Sequence, residues 1–261
     1  MSIYAGVGGW VYEPWRESFY PKGLPQKREL EYASGKLTAI EINGTYYGSQ
    51  KPESFARWHD ETPDGFVFAL KGPRFATNRR VLAEAGGSIE KFFASGVTKL
   101  KGKLGPVNWQ FMATKKFDAQ DFGAFLELLP KTVEGRPIRH AVEVRHESFR
   151  HKDFIALCRA HDVAIVTAGD SEFPCIADVT APFVYARIMG TREKEPAGYA
   201  KPAIKAWAAR ARDWAEGGAP KDLKLVAPGA AKKRRDVFLF VISGAKERNP
   251  AAAMALIDAL K

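Results

Sequence analysis

The chain has 261 residues, of which 46% are hydrophobic and 27% are charged, and its 40 Lys and Arg against 30 Asp and Glu give a formal net charge of +10. This composition excludes disordered and fibrous proteins, and no apolar run reaches the roughly 18 residues that a membrane helix needs. Two cysteines and a start without a basic, apolar leader predict a soluble, cytoplasmic protein. The charge favours an anionic partner, although a surface that serves solubility explains it equally well.

Short apolar runs rich in Val, Ile, Phe and Tyr alternate with longer segments of helical spacing, and Gly, Pro or Asp separates them. This alternation is typical of repeated β-α units. The predicted strands are residues 3–7, 39–43, 67–71, 107–111, 141–145, 164–168, 183–187 and 237–242. The predicted helices are residues 26–35, 52–61, 79–93, 119–129, 152–161, 201–215 and 250–260.

Eight parallel strands in alternation with helices close most economically into a (β/α)8 barrel, or TIM barrel, for which about 250 residues is typical. We therefore predict an α/β fold with a single TIM-barrel domain over residues 1–261, in which the sixth helix is short or absent because residues 171–182 leave little room for it. A doubly wound open sheet is the alternative. The glycines after the first strand lack the last glycine of the dinucleotide-binding pattern G-x-G-x-x-G, which disfavours it.

Residues of a barrel strand alternate between the helices and the lumen, so a polar residue near the carboxyl end of a strand points into the mouth, where barrel active sites lie. Single pairs, such as Glu143 with Arg145 or Glu41 with Lys71, have an alternative explanation as buried ion pairs. Convergence from six strands favours a functional site. The inward polar residues are Glu41, Asn43, Lys71, Asn108, Gln110, Glu143, Arg145, Asp170, Tyr185 and Arg187.

At these same positions the sequence resembles the YecE-like proteins, the domain of unknown function 72. The resemblance covers essentially the whole chain and implies a TIM barrel distantly similar to metal-dependent sugar isomerases and abasic-site endonucleases, with no established reaction. It departs from the family where Met189 replaces a histidine, where Met112 replaces a proline, and where Val241, Ile242 and Ser243 replace F-N-N. The matching segments are GVGGWVYEPW at 6–15, FYP at 19–21, EINGTYY at 41–47, FALK at 68–71, LGPVNWQ at 104–110 and EVRHESF at 143–149.

The sequence gives little support for a metal site or for a covalent intermediate on a lysine. The five histidines show neither H-x-H nor H-E-x-x-H spacing, which argues against zinc. Glu41, Glu143 and Asp170 are candidate ligands for a single Mg²⁺ or Mn²⁺, but neighbouring cationic side chains oppose it, so we expect no metal and no other cofactor. A Schiff base at Lys71 is disfavoured because a pair with Glu41 or Glu143 would keep the amine protonated.

The sequence favours a metal-independent enzyme or binder for a small phosphate- or carboxylate-bearing ligand at the barrel mouth. Glu41, Glu143 and Lys71 are the catalytic candidates, with either glutamate as a general base. Lys71, Arg145 and Arg187 would form an anion clamp. The predicted ligand-binding residues are Trp10, Asn43, Tyr46, Gln110, Arg145, Asp170, Tyr185 and Arg187.

Two alternatives stay open. The first is a non-catalytic nucleic-acid-binding protein, suggested by the lysines between 99 and 116 and by the basic run 232–235, although charge runs are usually solvated surface. The second is a single-metal phosphodiesterase or isomerase, which follows from the family resemblance. The long basic segment 217–236 is predicted to be an irregular surface loop.

Overall fold

Eight parallel strands form a closed barrel in the computed structural model, which describes residues 2–16 and 18–261. Their order around the barrel is β1-β10-β9-β8-β7-β4-β3-β2. Two further strands of two residues each, β5 and β6, pair with one another outside the barrel. The predicted TIM barrel is therefore confirmed. The strands are β1 (Ile3–Gly8), β2 (Ala39–Ile42), β3 (Val67–Lys71), β4 (Leu104–Gln110), β5 (Thr132–Val133), β6 (Arg136–Pro137), β7 (His140–Glu143), β8 (Ala164–Gly169), β9 (Phe183–Ile188) and β10 (Asp236–Val241).

Helices connect most of the barrel strands, and the interval between β8 and β9 contains none, as the sequence predicts. Five predicted helices agree to within two residues at each end, while the one at 26–35 opens with a 3-10 turn, Gln26–Arg28. The helices are α1 (Glu29–Ser34), α2 (Gly44–Tyr47), α3 (Pro52–Asp60), α4 (Arg74–Thr77), α5 (Gly86–Ala94), α6 (Ala119–Glu127), α7 (Lys152–Ala160), α8 (Lys201–Ala215) and α9 (Asn249–Leu260).

The helix predicted over residues 79–93 is wrong in its first half. Only α5 is continuous there, and the 3-10 turn Leu82–Ala85 precedes it. Val81 has an extended backbone, and the backbone N–H of Leu82 donates to the Asp121 carboxylate over 2.6 Å. The Asp121 carboxylate, 39 positions further along the chain, thus accepts the Leu82 N–H and favours the extended backbone before it. The local spacing of apolar residues does not reveal such an interaction.

The apolar residues form two separate clusters, one on each side of the barrel wall. Ile40, Ile42 and Val142 belong to the larger cluster, between the strands and the helices. Ala69, Phe238 and other inward residues form the smaller cluster, which fills the lumen. The lumen is packed by apolar side chains, and the polar residues near the strand ends lie at its mouth.

The basic segment before β10 is irregular between Gly217 and Arg235, as predicted. Lys232, Lys233 and Arg234 are exposed, but Arg235 is only 4% exposed, and its guanidinium donates to the carbonyl of Ala231 over 2.7 Å. The expectation that the whole Lys-Arg run lies on the surface is therefore wrong at its last residue. The backbone explains this, because Arg235 N–H donates to the carbonyl of Ala215 and draws the chain towards the barrel.

Within residues 2–16 and 18–261, none of the helices combines the length and the apolar character that crossing a membrane requires.

Candidate functional site

Three charged side chains from distant parts of the chain meet near the carboxyl ends of their strands. Glu41 lies in β2, Glu143 ends β7, and Arg187 lies in β9. The two glutamates are fully buried and Arg187 is 2% exposed. Glu41 faces the lumen because its neighbours Ile40 and Ile42 occupy the helix-facing side of the same strand.

Arg187 lies between the two carboxylates. Its Nη2 donates to Glu41 Oε1 over 3.0 Å, and its Nη1 donates to Glu143 Oε2. Nη1 also lies 3.4 Å from Oε1 of Gln110, while Nε is buried without a partner. The guanidinium of Arg187 is therefore committed to the two glutamates.

Further donors hold the two carboxylates in place. The hydroxyl of Tyr185 donates to Glu41 Oε2 over 2.6 Å, and Nδ2 of Asn108 lies 3.3 Å from the same oxygen and 3.2 Å from Glu143 Oε2. Arg145 donates from Nε and Nη2 to Glu143 Oε1 over 2.9 and 2.6 Å. The Glu143–Arg145 ion pair is therefore present, as one reading of the sequence anticipated.

These contacts fix the charge states of the cluster. Burial alone would raise the pKa of Glu143, but Arg187, Arg145 and Lys71 together lower it to about 2. Burial lowers the pKa of Arg187, and Glu143 and Glu41 outweigh it, so the net shift is upwards. Burial and the Glu41 carboxylate raise the pKa of Tyr185 well above its usual value. At neutral pH Glu143 is ionised, and a carboxylate with so low a pKa is a weak general base.

Lys71, the last residue of β3, is 5% exposed. Its ammonium donates to Oε1 of Gln110 and lies 4.6 Å from the centre of the Tyr46 ring. The expected pair with Glu41 or Glu143 does not form, because those carboxylates accept hydrogen bonds from Arg187, Arg145, Tyr185 and Asn108 instead. Burial first, and then repulsion by Arg187, lowers the pKa of Lys71 to about 8.

The cluster holds more positive than negative charge. Two carboxylates, Glu41 and Glu143, pair with the guanidiniums of Arg187 and Arg145. Among the described residues no carboxylate forms an ion pair with Lys71, so its ammonium is the charge left over. Burying a charge without a counter-ion is unfavourable, which makes this the place where an anion would be stabilised.

The rim of the mouth is built from half-buried residues. The side chain of Arg145 is 21% exposed, and its guanidinium lies 4.2 Å from the centre of the Phe173 ring. Trp10 packs edge-on against Trp58 and Phe68, with ring centres 5.2 and 6.3 Å apart. Sequence reasoning missed Phe173, because it lies in the irregular segment between β8 and β9, where no periodicity indicates direction.

Asn43 and Asp170 lie at the ends of their strands but do not join the hydrogen-bonded cluster. Asn43 stands before α2, and its amide lies against Gly8. Asp170 has a positive φ of 52°, and its carboxylate accepts a hydrogen bond from Trp207 Nε1 over 2.8 Å. The three carboxylates considered for Mg²⁺ or Mn²⁺ are not brought together: within the described ranges, no group of three His, Cys, Asp or Glu side chains is arranged to hold a metal ion.

The family comparison covers nearly the whole chain. The family model described as "Protein of unknown function DUF72" matches residues 4–261. The chain belongs to this family. The UPF0759 protein YecE of Escherichia coli K12 is 28% identical over 150 residues, which are 56% of this chain and 50% of YecE. The UPF0759 protein YunF of Bacillus subtilis is 29% identical over 69 residues, 26% of this chain and 23% of YunF. The match of this DUF72 chain thus spans about half the length of YecE and about a quarter of the length of YunF.

Two solved DUF72 structures have the same fold. A DUF72 family protein from Thermotoga maritima superposes with a TM-score of 0.77 at 19% identity, covering 100% of this chain and 99% of its own. One from Enterococcus faecalis gives a TM-score of 0.74 at 14% identity, covering 99% of this chain and 95% of its own. At these identities the likeness concerns the barrel alone.

Proposed function

We propose that this DUF72 protein binds a small anionic ligand, bearing a carboxylate or a phosphate, at the mouth of its barrel through Lys71 and Arg145. The observation that carries the proposal is the buried ammonium of Lys71, which has an amide oxygen and an aromatic ring as neighbours and no paired carboxylate among the described residues. A bound anion would supply the missing counter-charge, and a charge-assisted hydrogen bond in a buried site is strong.

Arg145 is the second cation of this site. Unlike Arg187, it is partly exposed, so one side of its guanidinium can meet a ligand while Nε and Nη2 contact Glu143. The ring of Phe173 covers part of the guanidinium and limits its contact with water. Arg187 has a different role in this proposal. It orients Glu41 and Glu143, and through Glu143 it positions Arg145.

The proposal is tested by isothermal titration calorimetry with inorganic phosphate and with oxalate. Lys71→Met and Arg145→Met should each weaken binding by roughly 2 to 5 kcal/mol, the usual cost of removing one partner of a buried charge pair. The exposed Lys36 provides the control, since Lys36→Met should leave the affinity unchanged. Absent binding of both anions, or equal affinity in all three variants, would overturn the proposal.

Arg145 also pairs with Glu143, so the single variant removes one of the two guanidiniums that pair with that buried carboxylate. The double variant Glu143→Gln, Arg145→Met removes both charges and separates the two roles. Stability should recover in the double variant while anion binding stays weak. Recovered stability together with wild-type affinity would limit Arg145 to a structural role.

The second candidate function is binding of single-stranded nucleic acid at the rim. It is favoured by two exposed rings, Tyr47 at 65% and Phe75 at 59%, with the Arg74 guanidinium 5.8 and 5.6 Å from their centres. Exposed rings beside a cation suit base stacking, worth roughly 1 to 3 kcal/mol per base. Fluorescence anisotropy with a labelled oligothymidylate should show salt-dependent binding that Tyr47→Ser and Phe75→Ser weaken. Affinity unaffected by both changes would exclude this surface.

A further inference from the structure

Among the described residues two lysines are buried, Lys71 and Lys103, and they differ in how many hydrogen-bond acceptors surround the ammonium group. Lys103, 7% exposed, donates from Nζ to the carbonyls of His59 and Thr62, both over 2.6 Å, and to the Thr62 hydroxyl over 3.2 Å. These three oxygens match the three donors of an ammonium group. Lys71, at similar burial, donates to one amide oxygen and otherwise faces a tyrosine ring. The surroundings of Lys103 suit an ammonium, whereas those of Lys71 satisfy it poorly.

The surroundings of Lys71 also lower its pKa and so favour the neutral amine. Burial has the largest effect and Arg187 the next, and together they outweigh the attraction of Glu41 and Glu143 and lower the pKa of Lys71 to about 8. In about a tenth of the protein molecules Lys71 is then the neutral amine at pH 7. Desolvation and neighbouring cations are the features that activate lysine nucleophiles.

We infer that Lys71 is a nucleophilic amine that forms an imine with the carbonyl carbon of an oxo acid whose carboxylate lies against Arg145. This inference rests on the proposed anion site and names its substrate class. The expectation that a glutamate would keep Lys71 protonated loses its basis, because Glu41 and Glu143 are engaged by other donors.

The step balances without an oxidant, a reductant or a metal. The Lys71 ammonium first loses a proton to solvent, and the nitrogen lone pair forms a bond to the carbonyl carbon while the C=O π pair moves to oxygen, which takes up a proton. The nitrogen, positively charged after the attack, releases a proton to solvent, which leaves a neutral carbinolamine with a lone pair on nitrogen. The carbinolamine then loses its hydroxyl group, with a proton taken up from solvent, as water, and the nitrogen lone pair forms the C=N bond. The product is a protonated imine with the charge of the original ammonium, and Glu41 and Glu143, whose charges attract the ammonium of Lys71, would stabilise it.

The test is reductive trapping. The protein is incubated with pyruvate, sodium borohydride is added, and peptide mass spectrometry measures the adduct at each lysine. Lys71 should carry most of the adduct, at least tenfold more than Lys103 or the exposed Lys36. Trapping at Lys71 should rise with pH to a plateau just above 8. Lys71→Arg, which keeps the charge, should abolish that adduct and leave the others unchanged.

Calorimetric binding of pyruvate and of L-lactate, which has the carboxylate and no carbonyl, separates the imine from the anion site. Binding of both compounds without an adduct at Lys71 would overturn the imine and leave the anion proposal standing. Binding of neither compound, without an adduct, would overturn both. An adduct at Lys71 without lactate binding would contradict the anion site and the position of the carboxylate against Arg145, and a uniform adduct over all lysines would overturn the imine.

Discussion

Replacement of Lys71 by methionine should make the protein more stable at neutral pH. Methionine has nearly the same length and no charge, so the variant keeps the packing and removes an ammonium that is buried without a paired carboxylate among the described residues. Gln110 keeps a donor after the change, because Arg187 Nη1 lies 3.4 Å from its Oε1. Residues that bind a ligand often make the unliganded protein less stable, and we expect Lys71 to be such a residue.

The size of the effect follows from the displaced pKa. A change from 10.5 to about 8 means that the folded chain binds the Lys71 proton more weakly than the unfolded chain does. At pH 7 the side chain is largely protonated in both states, and the folded state is disfavoured by about 3 kcal/mol. Between pH 8 and 10.5 the folded state has lost the proton that the unfolded state retains, so the wild type gains stability as the pH rises. The advantage of Lys71→Met should therefore fall to about 1 kcal/mol at pH 10.

Urea denaturation followed by tryptophan fluorescence at pH 7 and pH 10 measures this difference. Lys103→Met is the matched control, because Lys103 is equally buried but bonded to three oxygens. That variant should lose about 1 to 3 kcal/mol, since it leaves buried acceptors without a donor. A Lys71→Met protein that is less stable than the wild type at pH 7, or whose advantage is independent of pH, would refute the reasoning.

Three further changes probe the fold. Arg187→Met should lower the free energy of unfolding by about 3 to 5 kcal/mol in urea titrations because it removes the guanidinium that pairs with both buried carboxylates, whereas Arg28→Met, at an exposed pair, should leave it unchanged. Gly6→Ala should cost about 3 kcal/mol or more, since its Cβ would lie 1.7 Å from the Ala39 carbonyl oxygen; Gly48→Ala, in open space, serves as its control. Glutamine at positions 232–234 should leave the Tm within a few degrees, and a larger fall would show that these exposed side chains support the fold.

The barrel could be predicted from the sequence because each strand carries its own signal. Alternation in β2 identifies Glu41 as inward-facing from Ile40 and Ile42 alone, and the same reasoning holds for Glu143. Such a signal is local, and it survives without knowledge of the neighbouring strands. Convergence at the mouth then follows from the geometry of a closed barrel.

Partners within the site could not be predicted, because they depend on side-chain conformations across strands. The ion pair of Arg187 with Glu41 joins residues 146 positions apart, and it leaves Lys71 with Gln110 rather than with a carboxylate. Asp170 was expected to point into the mouth, but its positive φ directs the side chain to Trp207 instead. The periodicity of a strand cannot report a change of direction after the strand ends.

The central claim is that Lys71 and Arg145 hold an anion at the mouth of the barrel. A crystal structure of the protein grown with oxalate tests it most directly. Electron density for the dianion should lie within hydrogen-bonding distance of Lys71 Nζ and of the Arg145 guanidinium, with Arg187 still bonded to Glu41 and Glu143. A mouth without oxalate density at saturating concentration, or oxalate bound only at other basic residues, would contradict the claim.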